Sequence, residues 1–403
     1  MTADSLLSRL TAAPLAANAR RARTRLADLT ERAAATPDAA ALAPHLSAGP
    51  LHDLLLALAD HSPFLWRLAL TDPARLAWLA VTPPEAVARS LCEDQDSLFR
   101  RLRDGAIARD DLVRAFRRNR NAHALLVALA DLGGVWNVEE ATQSLSDFAD
   151  ASVRGGVAVV LTETADLGRI RLADPDRPGE GSGFTVLALG KHGAGELNYS
   201  SDIDLVVFFD PATPALPEGA EGATVYTRIA QALARLLQER TADGFVHRVD
   251  YRLRPDPGST PTAVSLASAY TYYETVGQNW ERAALIKARP VAGDIALGER
   301  FLKDLTPFIW RKYFDFASIA DVHAMKRQIH AVRGHDEIAV AGHDIKLGRG
   351  GIREIEFFVQ TQQLVFGGRR PGLRGRRTLD MLDALAAAKW ISDEAPDPRR
   401  SRA

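Results

Sequence analysis

Apolar residues recur at three- and four-residue spacing through the first part of the chain, as in LHDLLLALADHSPFLWRLAL from Leu51 to Leu70. That spacing lines one face of a helix with apolar side chains, so residues 1 to about 165 are predicted to be helical throughout. Pro83 and Pro84, and the pair Gly133 and Gly134, punctuate the pattern. It changes after DPDRPGEGSG, a polar Pro/Gly loop from Asp174 to Gly183. FTVLALG, starting at Phe184, and DIDLVVFFD, starting at Asp202, are short apolar runs of buried-strand type. FVHRVDYRLRP alternates from Phe245 and stops at Pro255, which predicts a third strand. Between the last two lie a loop, Asp210 to Ala223, and an amphipathic helix, VYTRIAQALARLLQERT. Strands mixed with helices make residues 184 to about 290 an α+β unit. After Gly293 the helical period returns, broken by GHDIKLGRGGIRE, and it fades after Ile391 into a Pro/Arg-rich tail. The expected organisation is a helical region 1–165, an α+β domain 166–295, a helical domain 296–395 that is cut short, and an irregular tail 396–403.

Composition narrows the picture. The 403 residues hold 50 Lys plus Arg against 51 Asp plus Glu. A balanced charge argues against a general nucleic-acid binder, which usually carries a basic surplus. The run RAFRRNR, Arg114 to Arg120, therefore reads as a solvated helix face. The single cysteine, Cys92, makes no internal disulfide, which fits a reducing compartment. An early Asp4 and the lack of an apolar leader predict no signal peptide, and no window is long and apolar enough for a membrane span. A cytoplasmic protein is expected.

The chemistry is concentrated in GKHGAGELNYSSDIDLVVFF, Gly190 to Phe209. Residues two apart in a strand share a face, about 6.5–7 Å apart. Asp202 and Asp204 would project together while Ile203 and Leu205 enter the core. Two such carboxylates can grip Mg²⁺ or bridge two metals about 3.5–4 Å apart, as nucleotidyl transfer uses. A third carboxylate normally completes the shell of the second metal, and the alternation of the third strand offers Asp250, on one face with Arg252 and Arg254, two cations for phosphate. Gly190, Gly193 and Gly195 would let backbone amides approach phosphate oxygens, with Ser200 and Ser201 adding hydroxyl donors. GKHG lacks the order of a P-loop. His192 in that loop is as consistent with solvation as with a phosphate contact.

A Gly-loop, Asp-x-Asp and a later strand carboxylate resemble the DNA polymerase β-like nucleotidyltransferase fold, a mixed sheet with helices, here between helical flanks. With RVDYRLRPDPGSTP, YYETVGQNWERAALIKARPVAGD and DIKLGRGGIREIEFFVQ, the chain resembles the bacterial glutamine synthetase adenylyltransferase/adenylyl-removing family over roughly residues 100–390. The form ELNYSSDIDL is similar to its N-terminal, adenylyl-removing half. The resemblance implies a metal triad of Asp202, Asp204 and Asp250 holding two Mg²⁺ ions, and a phosphate-facing Gly190, Ser200 and Ser201. It places Glu281, Arg282, Lys287 and Arg289 of WERAALIKARP, and Lys346, Arg349, Arg353, Glu354 and Glu356 of KLGRGGIREIEF, along the cleft. It implies glutamine synthetase, inorganic phosphate, ADP or AMP, and a PII signalling protein as partners. Members of the family are more than twice this long, so a truncated chain is expected.

The reaction so implied is phosphorolysis. Phosphate attacks the AMP phosphorus on a modified tyrosine of glutamine synthetase, and ADP leaves. Arg252 or Arg254 would dock the phosphate. Two other expectations stand beside this one: a nucleotidyltransferase acting on another protein or a small molecule, and a non-catalytic module that binds glutamine synthetase.

Overall fold

The computed structural model describes residues 4–311, 343–346 and 348–390. The chain forms two compact units. The first gathers the chain up to Pro178 with Glu196–Asp202 and Gln231–Val249; the second gathers Gly179–Gly195, Ile203–Ala230 and the chain from Asp250 onward.

The first unit is helical, as its period predicts: α1 (Leu6–Arg9), α2 (Ala19–Ala34), α3 (Pro50–His61), α4 (Pro63–Thr71), α5 (Pro73–Val81), α6 (Pro84–Arg103), α7 (Arg109–Leu132) and α8 (Val138–Asp166), with a 3-10 helix at Pro37–His45. Four prolines cut one long apolar pattern into separate helices, because Pro50, Pro63, Pro73 and Pro84 each open one. Proline suits a helix start, where its missing N–H would have no partner. Ser62 and Asp72 cap two of these starts by accepting from Leu65 N–H and Arg75 N–H. Asn137 and Glu140 close a capping box on α8. Leu54, Leu55, Leu126 and Leu129 are fully buried in the core of this unit. Helices α6 and α8 approach at Gly155, where a Cβ would meet the Gln95 carbonyl oxygen at 2.4 Å. The basic run is not simply a solvated face. Arg117 is fully buried and donates to the carbonyls of Val113, Leu236, Glu239 and Gly244. A neutral chain total does not reveal such an inward position.

The second unit is built on a five-stranded mixed sheet. β1 (Phe184–Leu189) lies antiparallel to β2 (Ile203–Phe209), with Phe184 opposite Phe209 and Leu189 opposite Asp204. β3 (Val249–Asp250), β2, β1 and β5 (Arg289–Gly293) follow in that order, and β4 (Ala263–Ser265) runs parallel to Val207–Phe209. Every residue of β1 is buried, as a continuous apolar strand requires. Helices α9 (Gly190–Ala194), α10 (Gly222–Gln238), α11 (Leu266–Thr275), α12 (Asn279–Ile286), α13 (Ile295–Asp304), α14 (Thr306–Ile309), α15 (Ile352–Phe366) and α16 (Thr378–Ala387), with a 3-10 helix at Pro371–Leu373, complete the elements of the described residues. Phe301 of α13 packs on Phe208 of β2 with ring centroids 4.5 Å apart. The expected α+β class holds.

The third strand is much shorter than its alternation predicts, two residues in place of Phe245–Pro255. The chain turns at once, because Arg252 N–H donates to Asp250 Oδ1 at 2.8 Å in an Asx-type turn. Arg254 then donates to the carbonyls of Tyr251, Pro257 and Thr260. Asp250, Arg252 and Arg254 therefore do not share a strand face. Of the expected helical domain 296–395, residues 312–342, Leu347 and 391–395 lie outside the described residues, as does the tail 396–403.

Candidate active site

In the second unit, β2 sends Ile203 and Leu205 fully into the core and leaves Asp204 half-buried on the other side. Its antiparallel register sets Asp204 opposite Leu189, so its carboxylate reaches the next residue, Gly190. Gly190 has φ 55°, and a Cβ there would lie 2.3 Å from Asp204 Oδ2. The glycine thus makes the hollow in which the carboxylate sits, as only a residue without Cβ can. Gly193 answers a different need: a Cβ there would meet the Lys287 carbonyl at 2.2 Å and the Ala188 carbonyl at 2.6 Å. Arg289 grips the same turn through the carbonyls of Gly193 and His192, at 3.1 and 3.0 Å.

Asp250 keeps 13% of its side-chain surface exposed against 82% for its partner Arg252. The Arg252 guanidinium holds the Asp250 carboxyl below the usual carboxylate range, against burial, and Arg252 N–H adds to it. Asp250 is therefore ionised at neutral pH.

In the first unit, the loop Glu196–Asp202 is fastened to two helices. Leu197 N–H donates to Ser146 Oγ at 3.1 Å, and the Tyr199 hydroxyl donates to Asp131 Oδ2 at 2.7 Å. Asp202 ends the loop, exposed, and accepts from Arg248 Nε; Arg248 also donates to the Ser200 carbonyl. Ser201 Oγ donates to Asn198 Oδ1. Ser200 and Ser201 line a cavity of about 650 Å³ together with Arg248, Arg120 and Arg67. One residue, Ile203, separates Asp202 from Asp204 along the chain.

Several residues expected along a cleft serve the framework. Glu281 is buried, accepts from Gln278 N–H at the start of α12, and takes a bond from the Tyr272 hydroxyl. Arg282 is fully buried and donates to the carbonyls of Phe308 and Ile309 and to Asn279. Lys287 Nζ joins Glu356 at 3.1 Å and Thr378 at 3.2 Å. Burial without a way to reach solvent is what the sequence could not show for these charges. Lys346 and Arg353 are exposed and meet through backbone, Arg353 N–H to the Lys346 carbonyl at 3.1 Å. Arg349 is also exposed, and Glu354 accepts from Gly350 N–H.

Among the described residues, no group of three or more His, Cys, Asp or Glu side chains stands together as a ready metal cluster. The donor chemistry nevertheless fits a hard cation: carboxylate oxygens, one of them seated in the Gly190 hollow. Asp202 and Asp250 each lean on an exposed arginine, a positive group that a cation could replace. Arg248 was not singled out from the sequence, although the alternation that carries Asp250 also carries it two positions earlier. Arg120 was hidden inside the basic run.

Residues 53–304 match the family described as glutamate-ammonia ligase adenylyltransferase, and residues 323–400 match GlnD PII-uridylyltransferase. A bifunctional glutamine synthetase adenylyltransferase/adenylyl-removing enzyme of Xanthobacter autotrophicus is 51% identical over 96% of this chain and 38% of its own. Enzymes of the same description from Rhodopseudomonas palustris and Rhizobium meliloti are 51% and 52% identical over 85% and 86% of this chain, and 34% and 35% of theirs. The chain thus spans little more than a third of the length of these relatives. With the Gly-loop and the strand that carries Asp204 described, the match over residues 53–304 shows that the chain belongs to the glutamate-ammonia ligase adenylyltransferase family of nucleotidyltransferases.

Proposed function

We propose that this chain carries the adenylyl-removing activity named in its relatives: phosphorolysis of the AMP–tyrosine bond on glutamine synthetase, giving ADP, in the cytoplasm. The observation that carries the reading is the run Glu196–Leu205, in which Asp204 is seated in the Gly190 hollow two residues after Asp202. Asp202, Asp204 and Asp250 would hold Mg²⁺, expected as two ions. Bound there, the ion would supply positive charge to offset that on the phosphoryl oxygens and on the departing tyrosinate, whose phenol has a pKa of about 10. Phosphate is anionic at neutral pH, so these residues need supply no strong base. Their task is to orient and to neutralise.

Arg252 is the better phosphate dock of the two arginines first considered. Its guanidinium is largely exposed, whereas the Arg254 guanidinium is committed to three carbonyls. Ser200, Ser201, Lys346 and Arg353 are offered as nucleotide contacts, and a PII-type protein as a regulatory partner. The match of residues 323–400 to a PII-uridylyltransferase favours a second reading, nucleotidyl transfer to a PII-type protein.

The test is incubation with adenylylated glutamine synthetase, Mg²⁺ and phosphate, beside a second reaction with UTP and a PII protein. Nucleotide release in the first, abolished by Asp202→Asn and by Asp204→Asn, supports the reading. Turnover only in the second, or binding of glutamine synthetase without release, contradicts it.

A further inference from the structure

The first unit holds a cavity dominated by arginines, which reaches Asp202 through one of them, Arg248. Its volume of about 650 Å³ falls in the range of small-ligand sites, roughly 300–1,000 Å³. Four arginines line it, Arg67, Arg120, Arg240 and Arg248, against a single carboxylate, Asp243. They are arranged around two phenylalanines. Arg120 stands over Phe64 at 5.1 Å and over Phe245 at 5.5 Å; Arg67 shares Phe64 at 5.8 Å, and Arg240 and Arg248 share Phe245 at 5.7 and 5.9 Å. Stacking on a ring face holds a guanidinium flat without using its N–H edge. Burial and the neighbouring Arg248 and Arg67 disfavour the charge on Arg120. Arginine nonetheless stays protonated in proteins. Asp243 does not balance the group alone, since Arg114 and Arg117 also lie in its field.

Crowded, preoriented guanidinium forks at the wall of a concave site are what a multiply charged phosphoryl anion would bind, through paired N–H···O bonds. Arg248 adds a link: it is the same side chain that donates to Asp202 and to the Ser200 carbonyl. An anion that recruits Arg248 must compete with Asp202 for it. We propose that this cavity is a binding site for a small phosphoryl anion, held by Arg120 and Arg67, and that its occupation draws Arg248 away from Asp202. The proposal does not depend on the adenylyl-removing reading, because binding is expected without metal and without glutamine synthetase. An acidic peptide is the other class of ligand that arginines attract; the cavity's modest volume and the ring-stacked forks favour the small anion.

The probe is inorganic pyrophosphate, titrated calorimetrically into the full chain in EDTA at fixed chloride concentration. One site is expected. Arg120→Gln should weaken binding about tenfold or more, the worth of one lost charge-assisted pair. Arg67→Gln, at an exposed side chain, should weaken it too, and serves if Arg120→Gln melts early. Asp202→Asn should leave binding intact or tighten it, since the competitor for Arg248 is gone. Inorganic phosphate and ATP, run as further arms, distinguish a free phosphate from a nucleotide as the source of the phosphoryl group. No binding above that of chloride, binding undiminished in both arginine variants, binding lost in Asp202→Asn, or binding of a polyglutamate peptide in place of pyrophosphate would each overturn the proposal.

Discussion

At Gly190 a single missing Cβ decides where a carboxylate can lie. Gly190→Ala would put a methyl group 2.3 Å from Asp204 Oδ2 at a backbone φ of 55°. The expected outcome is a loss of about 1–3 kcal/mol in denaturant unfolding, together with a smaller stabilisation by Mg²⁺ than in the parent. Unchanged stability would show that Asp204 is free to move aside. His123 makes the second residue-scale prediction. It is buried, stacked on Phe148 at 4.4 Å with Ser144 Oγ on its Nε2, and burial pushes its pKa down to about 3. A depressed folded pKa means that the unfolded chain takes up the proton first. The fold is then unaffected above about pH 6.5, the unperturbed value, and loses up to ~1.4 kcal/mol per unit as pH falls from there toward the folded value. Unfolding followed from pH 7.5 to 5 should show that loss in the parent and a flatter profile in His123→Gln; parallel profiles would contradict the assignment. Strand spacing and a glycine loop singled out three aspartates in the sequence; the structure seats Asp204 in β2 but leaves Asp202 in the loop before it and turns the chain at Asp250. Arg120 was not, since a neutral chain total says nothing about one helix position that faces a cavity.

Gly155 shows how an element can defy its own propensity. In an isolated helix a change from glycine to alanine gains about 1 kcal/mol. Here the new Cβ would meet the Gln95 carbonyl oxygen at 2.4 Å, where α6 crosses α8. A backbone atom cannot swing away as a side chain can, and forced overpacking costs about 1–3 kcal/mol. Gly155→Ala should therefore destabilise, by about 1–2 kcal/mol net, while the same change at a solvent-facing helix glycine would stabilise. A melting temperature at or above that of the parent would mean that the helices can separate. Elements were read best where period and boundary signals agreed. The apolar spacing gave the helices, and the pairs Pro83–Pro84 and Gly133–Gly134 marked two of their boundaries; the starts at Pro50, Pro63 and Pro73 were not singled out. β1 and β2 followed from unbroken apolar runs. The third strand failed because alternation reports which faces side chains could take, not whether the backbone continues. Asp250 captured the next N–H and turned the chain. Likewise the charges of α12 looked like cleft residues, yet Arg282 satisfies the carbonyls of Phe308 and Ile309 from within the core.

For the whole molecule, the near-equal 50 basic and 51 acidic residues conceal strong local separation. Four arginines gather in one cavity of the first unit against a single lining carboxylate, Asp243. The helical and α+β character of the chain was legible from its periods. The division into units was not, because each draws on separated stretches, Glu196–Asp202 with the helices and Gly179–Gly195 with the sheet. No helix among the described residues is long and apolar enough to cross a membrane. What the acids do together with phosphate is read from the product. A phosphorolytic site makes ADP, a hydrolytic one makes AMP, and a transferase run backwards makes ATP from pyrophosphate, all with the same three aspartates. The decisive measurement supplies isotopically labelled phosphate with Mg²⁺ and adenylylated glutamine synthetase, and follows the label. Label in the β-position of ADP, lost in Asp250→Asn, is the predicted result. Unlabelled AMP as the main product would contradict the account, even from a fully active chain.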